Sequence, residues 1–292
     1  MPTRSKVIYN DMKNYILGLY EKSMPKDLSW PEKLKAANEC GFDYIEISID
    51  ETDEKLNRLD WTKDEKFQLK KDIHETGLPI YSMCLSGHRK YPLGSKDEVI
   101  REKSLTIMNK AVDFAADLGI RIIQLAGYDV YYEESDEATR TYFAENLKKA
   151  CEMAATKGVM LGFETMETPF MDTVEKAMYY VHNMNSVYLG VYPDIGNLTN
   201  SGYITGKSVS EDIKMGNGHI VAAHLKETKP GQYREVPFGM GHTEFIPCLE
   251  MCRELGVKMF VGEFWYTGSK DWKMDLEFAN DFLRDKINKV YR

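Results

Sequence analysis

Eight short apolar segments recur along the chain, each separated from the next by a longer amphipathic stretch. Runs rich in β-branched and aromatic residues that alternate with helix-length segments are typical of parallel strands joined by helical crossovers. Most residues within each run are apolar, as expected for strands that are covered on both faces. The predicted strands are Tyr15–Tyr20, Tyr44–Ile49, Ile80–Leu85, Arg121–Ala126, Met160–Glu164, Tyr188–Tyr192, Ile220–Leu225 and Lys258–Glu263.

The helix-like segments between these strands have recognisable ends. Ser29, followed by Pro31 and Glu32, predicts the start of a helix that ends at Gly41. Thr62 with a glutamate three residues later has the spacing of a capping box, and that helix is expected to stop at Gly77. Three later predicted strands are each preceded by a glycine in the corresponding position: Gly119, Gly158 and Gly256.

Repetition of helix, glycine and strand predicts an α/β protein with a closed (β/α)₈ TIM barrel. An open doubly wound sheet is the weaker alternative, because it rarely needs eight similar crossovers. No linker or change in composition marks a second domain, so we expect one domain over residues 1–292 with an N-terminal extension at 1–14. Residues 50–61 and 86–95 are expected to form loops at the catalytic end of the barrel.

Charge and hydropathy exclude several classes of partner. The net charge of −8 argues against nucleic acid, whose binding depends on clustered Lys and Arg. Nowhere do about 18 apolar residues run together, which argues against a membrane span. Residues 1–22 carry charges where a signal peptide needs an apolar core, so a cytoplasmic location is expected.

The five cysteines fit neither a disulfide scaffold nor a zinc knuckle, because they are scattered and no pair has the CxxC spacing. Cys248 and Cys252 lie four residues apart in a predicted helix. We interpret them as two small apolar residues on one helix face.

Polar residues interrupt four consecutive predicted strands at equivalent points. Glu164, Asp194, His224 and Glu263 lie 30, 30 and 39 residues apart, at or just beyond the C-terminal ends of strands five to eight. Active sites of TIM barrels are built at these ends, so the four side chains are expected to converge. Taken singly, each has an ordinary explanation as a rim carboxylate, an Asx-turn or a core histidine.

Taken together, the four residues favour a site for a divalent cation, because carboxylates held close together repel one another without a positive charge between them. Three carboxylates and an imidazole suit Mn²⁺, Zn²⁺, Co²⁺ or Mg²⁺. The lack of thiolates argues against a structural zinc site.

Several longer segments resemble a known superfamily. Leu161–Met171, Tyr192–Leu198, His224–Glu227, Gln232–Gly241 and Gly262–Trp265 resemble the sugar-phosphate isomerase/epimerase superfamily, whose fold is that of xylose isomerase. Other segments are similar to the L-ribulose-5-phosphate 3-epimerases, also described as L-xylulose-5-phosphate 3-epimerases: Leu17–Lys22, Ser48–Trp61, Ser82–Gly94 and Gln124–Tyr132.

The resemblance implies one divalent cation held by Glu164, Asp194, His224 and Glu263, with Zn²⁺ or Mn²⁺ expected ahead of Co²⁺ or Mg²⁺. It also implies that the two glutamates serve as acid and base. The superfamily often has a histidine three residues after the aspartate, where this chain has Asn197, and the role of that position stays open. A homo-oligomer and a part in carbohydrate metabolism, in ascorbate utilisation, are further expectations by analogy.

The implied reaction interconverts L-xylulose 5-phosphate and L-ribulose 5-phosphate through a cis-enediolate. Inversion at C3 requires removal of a proton from one face and its return to the other, hence two acid–base groups. A cation on O2 and O3 would polarise the carbonyl and stabilise the developing negative charge. Residues expected to contact the substrate are Arg234, Lys226 and the loop Ser86–Arg89, with His88, at the phosphate, and Tyr20 and Glu51 at hydroxyls.

Other functions remain open from the residues alone. An alternative interpretation is that the basic groups are ordinary surface charges and that Tyr20 is an aromatic residue that packs in the core. The same site suits an epimerase or isomerase of unphosphorylated ketoses. A non-catalytic sugar-binding barrel is the other alternative, in which the four residues bind ligand without catalysis. A DNA-repair endonuclease of the same fold is disfavoured, because it needs more histidines at the barrel mouth and a basic face.

Overall fold

The computed structural model describes residues 14–291. Within these residues, eight parallel strands form one sheet in the order β6-β5-β4-β3-β2-β1-β8-β7. Isolated bridges from Val191 to Ile220 and from Asp194 to His224 connect β6 to the β7 side, so the barrel is nearly closed. The predicted (β/α)₈ barrel is thereby confirmed. Its strands are β1 (Ile16–Tyr20), β2 (Tyr44–Ser48), β3 (Ile80–Leu85), β4 (Ile122–Ala126), β5 (Met160–Glu164), β6 (Leu189–Tyr192), β7 (Ala223–Leu225) and β8 (Met259–Gly262).

Helices surround the barrel, and α1 and α3 end within two residues of the glycines predicted to end them. Ser29 with Glu32, and Thr62 with Glu65, form reciprocal capping boxes. Gly77 ends α3 with φ of 70°, the left-handed region that favours glycine. The α-helices of residues 14–291 are α1 (Trp30–Glu39), α2 (Asp53–Leu56), α3 (Lys63–Thr76), α4 (Glu98–Leu118), α5 (Glu137–Lys157), α6 (Val174–Met184), α7 (Ile195–Thr205), α8 (Val209–Lys214), α9 (Phe245–Glu254) and α10 (Trp272–Val290).

The two predicted loops contain short helical segments. Residues 50–61 hold α2 and a 3₁₀ helix, Asn57–Asp60, and residues 86–95 begin with a 3₁₀ helix, Ser86–Arg89. The largest difference in a strand is at β7, which begins at Ala223 instead of Ile220, because residue 220 pairs with β6 through an isolated bridge alone. Of the predicted extension at 1–14, residues 1–13 lie outside the described residues, and Asn14 Nδ2 donates to the Tyr291 carbonyl at 3.2 Å.

Side chains alternate along each strand between the helices and the barrel interior, because the side-chain period of a strand is two residues. Leu17 and Leu19 belong to the main apolar core, whereas Tyr20 and Tyr44 belong to a separate buried cluster. The Tyr44 hydroxyl donates to the Phe260 carbonyl at 2.9 Å, and a Cβ at position 18 would lie 2.5 Å from the Tyr44 ring. Gly18 therefore makes room for a tyrosine that fills the barrel interior.

The cysteines and the apolarity of the helices both bear on the sequence predictions. All five cysteines fall within the described part of the chain, and all are buried and free, Cys248 and Cys252 among them. Their interpretation as apolar residues on α9 is confirmed. Among residues 14–291, we find no helix with the length and apolarity needed to cross a bilayer.

Candidate active site

Four side chains meet at the C-terminal end of the barrel, as the strand positions predict. One ligand atom from each of Glu164, Asp194, His224 and Glu263 lies within 4.8 Å of the other three, and all four residues are buried. His224 Nδ1 lies 3.3 Å from Glu164 Oε1, 3.5 Å from Glu263 Oε2 and 4.0 Å from Asp194 Oδ2. The arrangement has the compactness that one metal ion requires.

Asp194 is fixed by the start of α7. It is the N-cap residue of that helix, and its Oδ1 accepts from the backbone N–H of Asn197 at 2.9 Å. Its own backbone N–H donates to Thr165 Oγ1 at 3.0 Å. Because capping occupies Oδ1, the second oxygen, Oδ2, is left to face the other three side chains.

Glu164 is held from the neighbouring strand. Gln124, which faces the barrel interior on β4, donates its side-chain N–H to Glu164 Oε2. Gly127 follows β4, and a Cβ there would clash with the Glu164 carbonyl. A glycine at 127 therefore lets the chain after β4 approach the end of β5 closely.

The charge of the site is strongly negative. Burial raises the pKa of Asp194; Lys226 opposes this rise, and Glu263 and Glu164 add to it. Burial alone would lower the pKa of His224, but the charges of Glu46 and Glu263 outweigh burial and raise that pKa well above its usual value. Both shifts favour uptake of protons into a site with excess negative charge.

Lys226 supplies part of the missing positive charge. Its ammonium lies 2.7 Å from Asp194 Oδ2 and 3.2 Å from Glu263 Oε2. Burial would raise the pKa of Glu263, yet Lys226 and His224 outweigh it and lower that pKa well below its usual value. Within residues 14–291, Asp194 Oδ2 and Glu263 Oε2 still lack a hydrogen bond of good geometry.

These observations fit a divalent cation. Two buried carboxylate oxygens accept no hydrogen bond of good geometry from the described residues, and an imidazole nitrogen faces the same point. Oxygen and nitrogen donors of this kind suit Mn²⁺, Zn²⁺, Co²⁺ and Mg²⁺. A cation among these atoms would replace the protons that the raised pKa values otherwise favour.

A narrow cavity opens beside the four residues. Of the residues predicted to contact substrate, Tyr20, Lys226 and Arg234 line it. Arg234 donates to Glu167 Oε1 at 2.8 Å, and Trp265 lies beside both Tyr20 and Lys226. The full lining is Tyr20, Lys22, Cys84, Ser86, Arg89, Ala126, Glu164, Met166, Glu167, Asn197, Lys226, Arg234, Glu263 and Trp265.

The structure places His88 and Glu51 outside this lining. The His88 ring is buried, with Nε2 3.2 Å from the Ser104 carbonyl on α4, and burial lowers its pKa to about 4. Its neighbour Arg89 lines the cavity instead, and the central carbon of its guanidinium group lies 4.7 Å from the centre of the Tyr131 ring. Glu51 accepts from the exposed Tyr132 hydroxyl at 3.0 Å. Neither side chain lines the cavity beside the four converging residues.

Asn197, the position where a histidine is common in the superfamily, lies at the cavity wall. Its side-chain N–H donates to the Thr165 carbonyl at 2.7 Å. Its Oδ1 is buried and accepts no hydrogen bond from the described residues. Asn197 thus presents an acceptor where an imidazole would present a ring nitrogen.

Sequence reasoning missed two buried polar residues near the site, Glu46 and Gln124. Both lie in mid-strand at positions that face the barrel interior. A signal was available in the runs YIEIS and IIQLA, where one polar residue interrupts an apolar strand. Such a residue is buried with its neighbours and needs a polar partner.

Comparison with known proteins agrees with the fold. Residues 34–289 match the family model of the xylose isomerase-like TIM barrel. Because the match covers most of the chain, the protein belongs to this family.

A curated relative narrows the class of enzyme, and solved structures share the fold. The chain is 43% identical over 279 residues to L-ribulose-5-phosphate 3-epimerase UlaE of Shigella boydii serotype 18, covering 95% of this chain and 97% of that protein. A crystal structure of D-psicose 3-epimerase in the presence of D-fructose has a TM-score of 0.77 at 16% identity, covering 93% and 99% of the two chains. A structure of L-ribulose 3-epimerase has a TM-score of 0.74 at 17% identity, covering 94% and 95%.

The predicted resemblance to the L-ribulose-5-phosphate 3-epimerases is confirmed by the relative at 43% identity. The protein is an enzyme of the isomerase class, a carbohydrate epimerase.

Proposed function

We propose that the protein is a metal-dependent 3-epimerase that interconverts L-xylulose 5-phosphate and L-ribulose 5-phosphate. The observation that carries the proposal is the convergence of Glu164, Asp194, His224 and Glu263 within 4.8 Å at the catalytic end of the barrel. The relative at 43% identity supports the choice of substrate, since its name specifies L-ribulose 5-phosphate.

Glu164 and Glu263 are the acid and base of this proposal. Glu164 ends β5 and Glu263 follows β8, so two strands, β6 and β7, separate them around the barrel. Approach from different walls suits removal of the C3 proton from one face of the sugar and its return to the other, with a cis-enediolate between the two transfers. Positioned acid–base catalysis of this kind typically supplies about 10²–10⁴-fold in rate.

Asp194 and His224 would complete the ligand set with the two glutamates. When bound, a divalent cation would act as a Lewis acid and stabilise the negative charge that develops on the sugar oxygens. Asp194 is held for this role by its hydrogen bond to the start of α7. Lys226 lies 2.7 Å from Asp194 Oδ2, so we assign it to an oxygen of the sugar beside the ligand set instead of to the phosphate predicted from the sequence.

The phosphate end of the substrate would lie towards Arg234 and Arg89. Both guanidinium groups line the cavity, and each packs near Tyr131 or Glu167 on the same side. Arginine presents several N–H donors in a plane and suits phosphate oxygens. Arg234→Met is expected to raise KM for L-xylulose 5-phosphate and leave KM for free L-xylulose unchanged.

Exchange of the C3 proton with deuterium from the solvent tests the acid–base assignment. Glu164→Gln and Glu263→Gln should each lower the exchange rate by at least about 100-fold while the barrel stays folded. Glu75→Gln is the matched control, because Glu75 is exposed on α3 and paired weakly with Lys71 at 3.7 Å. Full exchange in either active-site variant would refute the two-glutamate scheme.

Two related functions are separated by simple assays. Equal or better turnover of free ketoses than of L-xylulose 5-phosphate would assign the same site to unphosphorylated sugars, as the names of the two structural neighbours suggest for those proteins. Binding of sugar without any C3 exchange would indicate a non-catalytic sugar-binding barrel.

A cytoplasmic location, a homo-oligomer and a role in ascorbate utilisation also belong to the proposal. The name of the relative at 43% identity supports metabolism of this sugar phosphate. Sedimentation of the purified protein tests the oligomer.

A further inference from the structure

Glu46 is a fully buried carboxylate inside the barrel, below the four proposed metal ligands. It lies in the middle of β2, with a relative exposure of 0%. A buried carboxylate costs several kcal/mol unless partners compensate for its lost hydration. Glu46 is not one of the four converging residues, so its role must lie in what it contacts.

Three polar side chains converge on this carboxylate. Glu46 Oε1 lies 2.6 Å from His224 Nε2. Its other oxygen, Oε2, accepts from Ser82 Oγ at 2.7 Å and from the Tyr192 hydroxyl at 2.9 Å. Because the two hydroxyls occupy Oε2, they fix the plane of the carboxylate and leave Oε1 to the imidazole.

The imidazole of His224 is therefore held between two different environments. Nε2 faces Glu46, while Nδ1 faces Glu164 and Glu263 at 3.3 and 3.5 Å. An imidazole nitrogen that binds a metal carries no proton, and the opposite nitrogen then donates its N–H to an outer partner. An acceptor at Nε2 selects the tautomer whose Nδ1 lone pair points to the metal.

We propose that Glu46 is the positioning residue of His224: it accepts the Nε2–H and thereby presents Nδ1 to the cation. The inference rests on the proposed metal-dependent function. Glu46 acts through the histidine and touches neither the sugar nor the cation. Partners of this kind typically contribute about 10–100-fold to metal affinity or activity.

Glu46→Gln tests this role with little change of volume. We expect Zn²⁺ affinity, measured by competition with a chromophoric chelator, to fall by about 10–100-fold. Ser82→Ala is the matched control: it removes one donor to Glu46 Oε2 and leaves the contact between Glu46 and His224 in place. We expect its Zn²⁺ affinity to stay much closer to that of the wild type. Circular dichroism establishes that both variants fold.

The wild-type protein provides an independent readout. In Zn²⁺-loaded protein labelled with ¹⁵N-histidine, the His224 signals, assigned with a His224→Asn variant, should show Nδ1 bound to the metal and Nε2 carrying the proton. Zinc on Nε2 would overturn the proposal, even if Glu46→Gln fails to fold.

The outcomes separate this role from the proposed function. If the wild type binds no Zn²⁺ at the four residues, the metal-dependent function and the role of Glu46 both fail. If the wild type binds Zn²⁺ and epimerises its substrate while Glu46→Gln keeps wild-type affinity, the role of Glu46 alone fails.

Discussion

Glu21, which directly follows β1, offers a sharp test of how the catalytic end of the barrel is stabilised. Its carboxylate is 1% exposed and accepts from Lys33 Nζ at 2.9 Å and Lys55 Nζ at 2.6 Å. Arg58 donates to both oxygens, at 2.6 and 2.8 Å, and the Ser48 backbone N–H adds a bond of 2.9 Å. One carboxylate therefore joins the chain after β1 to α1, α2 and the following 3₁₀ helix.

Glu21→Gln keeps the shape of the side chain and removes its charge, which leaves three buried cations without a counter-ion. Breaking a buried ion pair by removing one partner costs about 3–5 kcal/mol. With a urea m-value of about 3 kcal/mol/M, the unfolding midpoint should fall by about 1 M or more. Circular dichroism at pH 7 measures the midpoint.

Glu39→Gln is the matched control, because Glu39 also pairs with lysines but at half-exposed positions, 3.7 Å from Lys35 and 3.4 Å from Lys273. Its cost should be below about 1 kcal/mol. Equal midpoints for the two variants would refute the reasoning.

The pH dependence of the same measurement has a defined sign. Burial would raise the pKa of Glu21, but Arg58, Lys55 and Lys33 outweigh burial and lower that pKa far below the usual 4.5. A depressed pKa stabilises the fold above about pH 4.5, and this stability is lost as the pH falls further. The difference between wild type and Glu21→Gln should therefore shrink by about 1.4 kcal/mol per pH unit below 4.5. A difference that stays constant to pH 3 would contradict this assignment.

Two further substitutions separate positioning from packing. His88→Asn should leave KM for the sugar phosphate unchanged and lower stability by about 1–3 kcal/mol, because the buried ring and its hydrogen bond to the Ser104 carbonyl are lost. A raised KM would instead indicate that His88 contacts the substrate. Burial lowers the pKa of His88 from 6.5 to about 4, so its neutral ring stabilises the fold above pH 6.5. This contribution is lost as the pH falls towards 4, and His88→Asn should not show that loss. Gln124→Leu should lower kcat for C3 exchange by about 10-fold with little change in KM, because Glu164 loses a hydrogen-bond donor. Steady-state kinetics of C3 exchange measure both constants, and a wild-type kcat would contradict this role.

The barrel could be predicted because its signals are local. Each strand is a short apolar run, and capping residues such as Thr62 and Gly77 define helix ends within a few positions. The four converging residues could also be predicted, because they occupy equivalent ends of consecutive strands, and the fold brings such ends together.

The remaining contacts join residues that lie far apart in the sequence, and no local sequence pattern predicts which of them meet. His224 meets Glu46 across 178 positions in the chain, and Glu46 lies in mid-strand where strand ends give no guide. In the 3₁₀ helix Ser86–Arg89, the two ends face the cavity while His88 packs against Ser104 on α4. The direction of each side chain in that turn depends on tertiary packing, which spacing alone does not reveal.

Anomalous diffraction from crystals grown with Mn²⁺, recorded on both sides of the manganese absorption edge, tests the metal site most directly. We predict one peak within about 2.0–2.4 Å of Glu164, Asp194, Glu263 and the Nδ1 atom of His224, a range typical of oxygen and nitrogen ligands. A map without a peak at these four side chains, or with the ion bound elsewhere in the barrel, would contradict the assignment.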